Sequence, residues 1–200
     1  MAFFRLTTPT EDVAVIRGEG VMLRAPRMED YEDWAVLRDG SREFLRPWEP
    51  IWPADDLTRP AFRRRLKRYQ REVQEDQAYP FFIFRERDGA LLGGLTLGMV
   101  RRGVSQAATL GYWMGAPHAG KGYMTAAVRL AVSYSFETLR LRRIEAACVP
   151  TNTASRIVLE RVGFRREGYA RQYLCINGTW QDHILYALLR SEFRFDTRSP

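Results

Sequence analysis

Between Leu110 and Val149 the chain runs through an extended apolar stretch, a glycine-bearing turn, a long helix and a second extended stretch. Ala107 to Met114 reads as a strand, Gly122 to Thr138 as a helix, and Ile144 to Val149 as the next strand. Val128, Ala131, Val132 and Phe136 share the face of that helix that would meet a core. Gly120 and Gly122, in the turn, permit backbone geometry that a side chain would block. The N–H groups of the turn and of the first helical turn point one way. Together with the helix dipole they form a site for a pyrophosphate. Lys121 either adds a charge there or faces water. The spacing is neither a Walker loop nor the Gly-x-Gly-x-x-Gly dinucleotide signature. Taken alone, such a turn is equally an ordinary strand-to-helix connection.

The flanking sequence supplies the rest of a sheet. Val21, Leu23 and Ala25 alternate with Met22 and Arg24, which predicts a strand. A helix follows Pro26, with Tyr31, Trp34, Ala35 and Leu37 on one face and Glu29, Asp33 and Arg38 outside. Prolines 47, 50 and 53 exclude a regular helix from the aromatic loop Phe44 to Pro50. A second helix starts after Asp56. Its Phe62, Leu66, Tyr69 and Val73 recur at helical spacing, and Arg63, Arg64, Lys67, Arg68 and Arg71 cover the other side. Tyr79 to Glu86 and Leu91 to Leu97 form strands around the turn Asp88-Gly89. Past Val149 come a short helix, Ser155 to Val162, and extended chain, Phe164 to Ile176. The turn Asn177-Gly178 and a last strand, Ile184 to Leu189, complete the pattern. This order predicts one α/β (mixed α+β) domain across residues 1–200.

Composition bounds the rest. A chain of 200 residues can bury a full core without disulfides or metals. Cys148 and Cys175 make neither a disulfide framework nor a zinc site, and both read as buried small hydrophobes, so no metal is expected. No apolar run reaches the roughly 18 residues of a membrane span. Met1 to Pro9 lacks the apolar core of a signal peptide, which predicts a cytoplasmic protein with no membrane partner. The net charge of +7 suits an anionic partner such as a phosphate-rich cofactor, RNA or an acidic surface. It is equally compatible with a solvated basic surface. The basic helix 62–73 is open to the same two readings, RNA contact or solvent.

After the strand Ile144 to Val149 stand Asn152-Thr153-Ala154-Ser155 and Leu159-Glu160-Arg161-Val162-Gly163-Phe164. With Gly120-Lys121-Gly122 ahead of them, the chain resembles the GNAT superfamily of N-acetyltransferases over roughly residues 15 to 192. Within it, four stretches resemble the branch that acetylates the N-terminal alanine of ribosomal protein S5. They are Phe44 to Pro50, Leu110-Gly111-Tyr112, Gly163 to Ala170, and Asn177-Gly178-Thr179-Trp180-Gln181-Asp182-His183. Pro117 departs from the family by filling a position that often opens the loop with Gln or Arg, so backbone N–H groups must do most of the phosphate holding.

The resemblance implies a GNAT fold: a twisted mixed sheet, mostly antiparallel, splayed between its fourth and fifth strands and flanked by helices. Strand 110–114 would part from strand 144–149. The pantetheine arm of acetyl-CoA, the co-substrate, would insert there and bond to the backbone of Trp113 and Gly115. The implied cofactor-binding residues are Trp113, Met114, Gly115, His118, Gly120, Lys121, Gly122, Tyr123, Met124, Thr125, Asn152 and Ser155. A backbone N–H near Tyr112 would meet the thioester carbonyl, and a pre-aimed donor of that kind is worth about 3 kcal/mol.

The acceptor must be a neutral amine, and an N-terminal amine with a pKa near 8 supplies one readily. Holding amine and thioester together can then supply much of the acceleration. Glu49 is the candidate to take the proton or bind the amine, or else it is a solvent-exposed loop acid. Ser155 is the candidate to return a proton to the CoA thiolate, or else it caps a helix. Asn152 bonds the pantetheine amides or serves a turn. Tyr169 and Tyr173 are alternative acids, or pack in the sheet. Leu174 stands where some relatives carry a Glu base. His118 lies in the phosphate turn, too close to the anion for acid–base work. His183, beside Asp182, is read as holding a structural hydrogen bond.

The leading acceptor is a protein N-terminus, with ribosomal protein S5 favoured and ribosome association allowed for. A small amine such as an antibiotic or polyamine is the second reading, disfavoured because segments 42–52 and 99–106 are more basic than acidic. A non-catalytic ribosome- or RNA-associated module is the third. Monomer and homodimer are both compatible with the sequence.

Overall fold

The computed structural model describes residues 15–194, so the reading of Met1 to Pro9 lies outside the described residues. Eight strands form one sheet: β1 (Ile16–Gly18), β2 (Val21–Arg24), β3 (Tyr79–Arg85), β4 (Leu91–Arg101), β5 (Ala107–Met114), β6 (Arg143–Cys148), β7 (Arg165–Ile176) and β8 (Thr179–Leu189). Their order is β1-β2-β3-β4-β5-β6-β8-β7. Every neighbouring pair is antiparallel except β5 and β6. The helices are α1 (Tyr31–Gly40), α2 (Arg42–Leu45), α3 (Arg59–Gln74), α4 (Tyr123–Glu137) and α5 (Thr153–Val162). Among the described residues, no helix is long and apolar enough to cross a membrane.

The two faces of the sheet carry different helices. On one face Ala127, Val128, Ala131, Val132 and Phe136 of α4, with Leu159 and Val162 of α5, pack on Leu95, Leu110, Ile144 and Tyr186. On the other, Trp34 of α1 and Phe62 of α3 meet Phe82, Phe84 and Leu91, with Trp113 against them. β3 is apolar on both faces because both are covered. Fully burying Phe62 contributes about 1.5–3 kcal/mol, and its ring lies 4.8 Å from Trp34. On α3, Arg64, Arg65 and Arg68 are ion-paired to Asp55, Asp56 and Glu72. Part of the basic face is therefore neutralised locally.

Four expectations are corrected here. The segment before Pro50 is not purely loop: α2 and a single 3-10 turn, Arg46–Trp48, fit ahead of and around Pro47, because proline is tolerated in a first helical turn. Arg38 is buried, not outside, since Glu49 neutralises it. Cys148 is buried but Cys175 is exposed, because residues 165–175 of the edge strand β7 lie largely open to solvent. Tyr169 and Tyr173 do not pack inside the sheet, with 49% and 46% of their surfaces exposed.

Candidate active site

β5 and β6 pair only from Ala107 to Thr109 against Arg143 to Glu145. Beyond that the strands part, and a cavity of about 200 Å³ opens between Leu110–Tyr112 and Ala146–Val149. Backbone alternation decides which groups face it. Gly115 N–H donates to the Leu92 carbonyl at 2.8 Å, and Trp113 stands opposite Gly94 in the same ladder. Residues alternate in an antiparallel pair, so Gly115, Trp113 and Gly111 bond to β4. Tyr112 and Met114 then direct their N–H and C=O groups at the split. This corrects the pairing expected of Trp113 and Gly115: the ladder already holds both. Gly115 serves packing instead, since a Cβ there would lie 2.4 Å from Leu37 Cδ1.

The turn between β5 and α4 is built from backbone. Ala116–His118 forms one 3-10 turn, and Gly120 and Gly122 take φ of +74° and +84°, values at which an L side chain is strained. Gly122 is the N-cap of α4. Ideal Cβ atoms at Gly120 and Gly122 meet nothing within 4 Å, so the space in front of the turn is open. Among the described residues no backbone acceptor takes the N–H groups from Gly120 to Thr125. Tyr123, Met124 and Thr125 thus present the unsatisfied first turn of a 15-residue helix, the arrangement that binds anions. The Lys121 ammonium folds back to donate to the Pro117 carbonyl at 2.8 Å. His118 has a buried Nδ1 without a protein partner. Burial, with Arg85 and Lys121 nearby, holds its imidazole below the usual range and favours the neutral form.

At the other end of the split, α5 starts at Asn152, whose Oδ1 accepts the Ser155 N–H at 3.0 Å. Asn152, not Ser155, is therefore the N-cap, which leaves the Ser155 hydroxyl free for other work. Its Oγ lies 2.9 Å from the Tyr112 hydroxyl, which also donates to the Ser155 carbonyl at 3.3 Å. Burial pushes the Tyr112 phenol well above its ordinary value, so it remains a protonated donor. Cys148 lines the same cavity, and burial raises its thiol too.

Beside the cavity, behind Trp48, side chains from distant segments interlock. Arg38 of α1 donates to both oxygens of Glu49 at 2.8 and 2.7 Å. Trp52 Nε1 donates to Glu49 Oε2 at 2.7 Å. The Arg38 guanidinium stacks 4.0 Å from the Trp52 ring centroid and 4.8 Å from that of Trp113. Glu49 is thus neither a loop acid in solvent nor a free base: three N–H groups occupy its two oxygens. The Glu49 carbonyl accepts the Asn177 N–H at 2.8 Å, which ties this loop to the β7–β8 hairpin. Ser41, fully buried, accepts the Ala116 N–H at 2.9 Å, which fixes α2 to the turn below β5. Trp48, Leu174 and His183 complete the cavity on this side. Arg38, Ser41 and Trp52 were not singled out from sequence. Their partners lie far along the chain or in another element, and no local pattern marks them.

Among the described residues no group of three or more His, Cys, Asp or Glu side chains could hold a metal ion. What the arrangement offers is an anion-binding helix end, a slot lined by backbone and a hydroxyl pair at the slot's end.

Comparison with known proteins gives the same picture. Residues 21–165 match the acetyltransferase (GNAT) domain family. A Bacillus subtilis protein named Probable N-acetyltransferase YjcK is 38% identical over 178 residues, covering 89% of this chain and 98% of the relative. The ribosomal protein uS5-alanine N-acetyltransferase of Escherichia coli is 36% identical over 148 residues, 74% of this chain and 76% of its own. Among solved structures, Mycobacterium smegmatis RimJ in complex with CoA-disulfide superposes with a TM-score of 0.82 at 36% identity. That match covers 86% of this chain and 83% of that one.

Proposed function

The chain belongs to the GNAT acetyltransferases, and is related to the RimJ and RimL branch; from that premise we propose that it moves the acetyl group of acetyl-CoA to the α-amine of a protein N-terminus, with the alanine of ribosomal protein uS5 the favoured acceptor. The observation that carries the reading is the β5–β6 split, with the free N–H groups of Gly120 to Thr125 at one end and the Ser155–Tyr112 hydroxyl pair at the other.

Each part of acetyl-CoA finds a fitting group. The pyrophosphate suits the N-terminus of α4, where N–H groups and the helix dipole converge. The pantetheine amides suit the strand-like backbone of Tyr112 and Met114, which completes the ladder where β6 has turned away. Ser155 lies where the leaving sulfur would emerge. The hydroxyl pair can run in either direction; when Tyr112 gives its one proton to Oγ rather than to the Ser155 carbonyl, the Ser155 proton is free to point into the cavity. Ser155 hands that proton to the thiolate, and Tyr112, kept protonated by burial, steadies the hydroxyl as it does so.

The acceptor wall favours a protein N-terminus over a polyamine. Among the described residues no Asp or Glu lines the cavity, and the nearby Glu49 is held by Arg38 and Trp52. A polycation would find no free carboxylate. Trp180, Leu174, Tyr173 and Ile51 are exposed around this side, an apolar rim suited to a peptide.

The test is intact-mass analysis after mixing the pure chain with acetyl-CoA and unmodified small-subunit ribosomal proteins. A single acetyl group on the N-terminus of uS5 is the expected result. Acetyl-CoA binding without acetylation of any ribosomal protein, together with turnover of a small amine, would replace the acceptor assigned here.

A further inference from the structure

We propose that His183 is the proton acceptor for the incoming amine, an inference that rests on the transferase reading above. His183 is 3% exposed, yet it lines the same cavity as Ser155 and Tyr112. Its Nδ1 lies 3.0 Å from the Gln181 carbonyl oxygen. A carbonyl only accepts, so Nδ1 carries the proton of the neutral ring and Nε2 holds the lone pair. Among the described residues no protein group bonds to Nε2. The ring is therefore anchored at one nitrogen and carries an open lone pair at the other.

Its position across the sheet is the required one. Ile184, Tyr186 and Leu188 face the core beneath α4 and α5, so alternation puts His183 on the opposite face. Ser155, on α5, reaches the cavity from the first face. The two groups stand on opposite sides of the split, one toward the leaving thiol and one toward the acceptor. Among the described residues lining this side of the cavity there is no other base: Leu174 and Trp48 are apolar or a pure donor, and the carboxylate of Glu49, beside it, is already committed.

The strand is also deformed at this residue. β7 pairs Ala170 with His183 and next Leu174 with Gln181, so residues 171–173 bulge out of register. Asp182 holds the bulge, accepting the Gln172 N–H at 2.8 Å and the Tyr169 hydroxyl at 2.7 Å. Tyr173 is thereby set edge-on to His183, with ring centroids 5.6 Å apart. Bulges beside active sites commonly serve to aim a side chain.

The step balances as follows. The ammonium gives one proton to His183 Nε2, and the neutral nitrogen attacks the thioester carbon. The C–N bond forms and the C–S bond breaks with its electron pair on sulfur. The proton shed by the new amide nitrogen balances the one the thiolate takes up through Ser155. The imidazolium returns its proton to solvent.

The experiment uses acetyl-CoA and a peptide that begins with the N-terminal residues of uS5. His183→Ala is expected to lower kcat about 100-fold, with acetyl-CoA affinity by calorimetry unchanged. Added imidazole should restore turnover in proportion to its concentration, a rescue that a structural histidine would not show. His183→Gln retains a donor for the Gln181 carbonyl but has no basic nitrogen, and is expected to be as slow as the alanine variant. Full turnover by His183→Gln, or a folded His183→Ala that imidazole fails to rescue, would overturn the assignment and leave the transferase intact. If His183→Ala does not fold, the glutamine variant alone decides. Wild-type protein that binds acetyl-CoA but acetylates no amine would instead sink the transferase reading, and this inference with it.

Discussion

The wall that carries Gly120 to Thr125 is made of backbone from one short run, whereas on the other side Trp48, Leu174 and His183 line the cavity and Arg38, Ser41, Glu49, Trp52 and Asn177, drawn from both ends of the fold, interlock beside them. The first wall recognises groups common to every CoA ester, and N–H groups with a helix dipole suffice for that. In the proposed function the second side would orient one particular amine, through side chains locked by one another. A change in the first wall should therefore remove cofactor binding, whereas a change in the second should spare binding and damage stability or turnover.

Gly122→Arg tests the first half of that contrast and has the largest expected effect. The φ of +84° strains any side chain by about 1–2 kcal/mol, and the arginine chain would fill the open space before the turn. Calorimetry should find no acetyl-CoA binding, and acetylation should cease. Retained binding would move the anion site elsewhere.

Arg38→Ala tests the second half. It strands Glu49 beside Trp52 with its main partner gone, and breaking a buried pair costs about 3–5 kcal/mol. The low end applies because Glu49 keeps 19% of its side chain exposed. The melting temperature should fall while acetyl-CoA affinity in the folded protein holds. Affinity that falls in step with stability would mean that the two walls are not separable.

Ser155→Ala sharpens the boundary between them, because Ser155 belongs to the cofactor side but acts on the leaving group. Turnover should drop about 100-fold, near 2.7 kcal/mol, with acetyl-CoA affinity unchanged. A loss of affinity alone would make Ser155 a contact and nothing more.

The smallest effect is pH-dependent. The Gln172 N–H, then the Tyr169 hydroxyl, hold the Asp182 carboxyl below the usual range. A depressed folded-state pKa gives stability that is complete above the unfolded value and lost as pH falls through the folded one. The protection factor of the Gln172 amide, taken against its intrinsic exchange rate at each pH, should fall on acidification below the ordinary carboxylate range, and Asp182→Asn should flatten that response. An unchanged profile would mean that the bulge is held by its register alone.

How much of this was legible depends on distance along the chain. The strand–turn–helix unit was readable from Gly120, Gly122 and the apolar spacing of α4, because local sterics and burial period act within a few residues. The segment Asn177 to His183 was visible as a motif, but its meaning was not. Whether His183 faces the core or the cavity depends on pairing register with β7, and a one-residue slip reverses it. Arg38 illustrates the same limit. Its place on the helix reads as the outer, polar face, and its burial follows only from Glu49 arriving across the fold. The splay was implied by resemblance alone, since nothing in the residues of β5 or β6 marks where their pairing ends.

The sequence by itself determined most of the long strands and helices, and which turn presents its amides to an anion, since those depend on propensity, period and glycine geometry. Only the tertiary structure decided that Tyr112 and Met114 rather than Trp113 and Gly115 face the split, that Glu49 is bound by Arg38, and that Ser155 and His183 share one cavity. Those outcomes depend on which backbone edge is already paired and which side chains meet through space, and neither is set by neighbours in sequence.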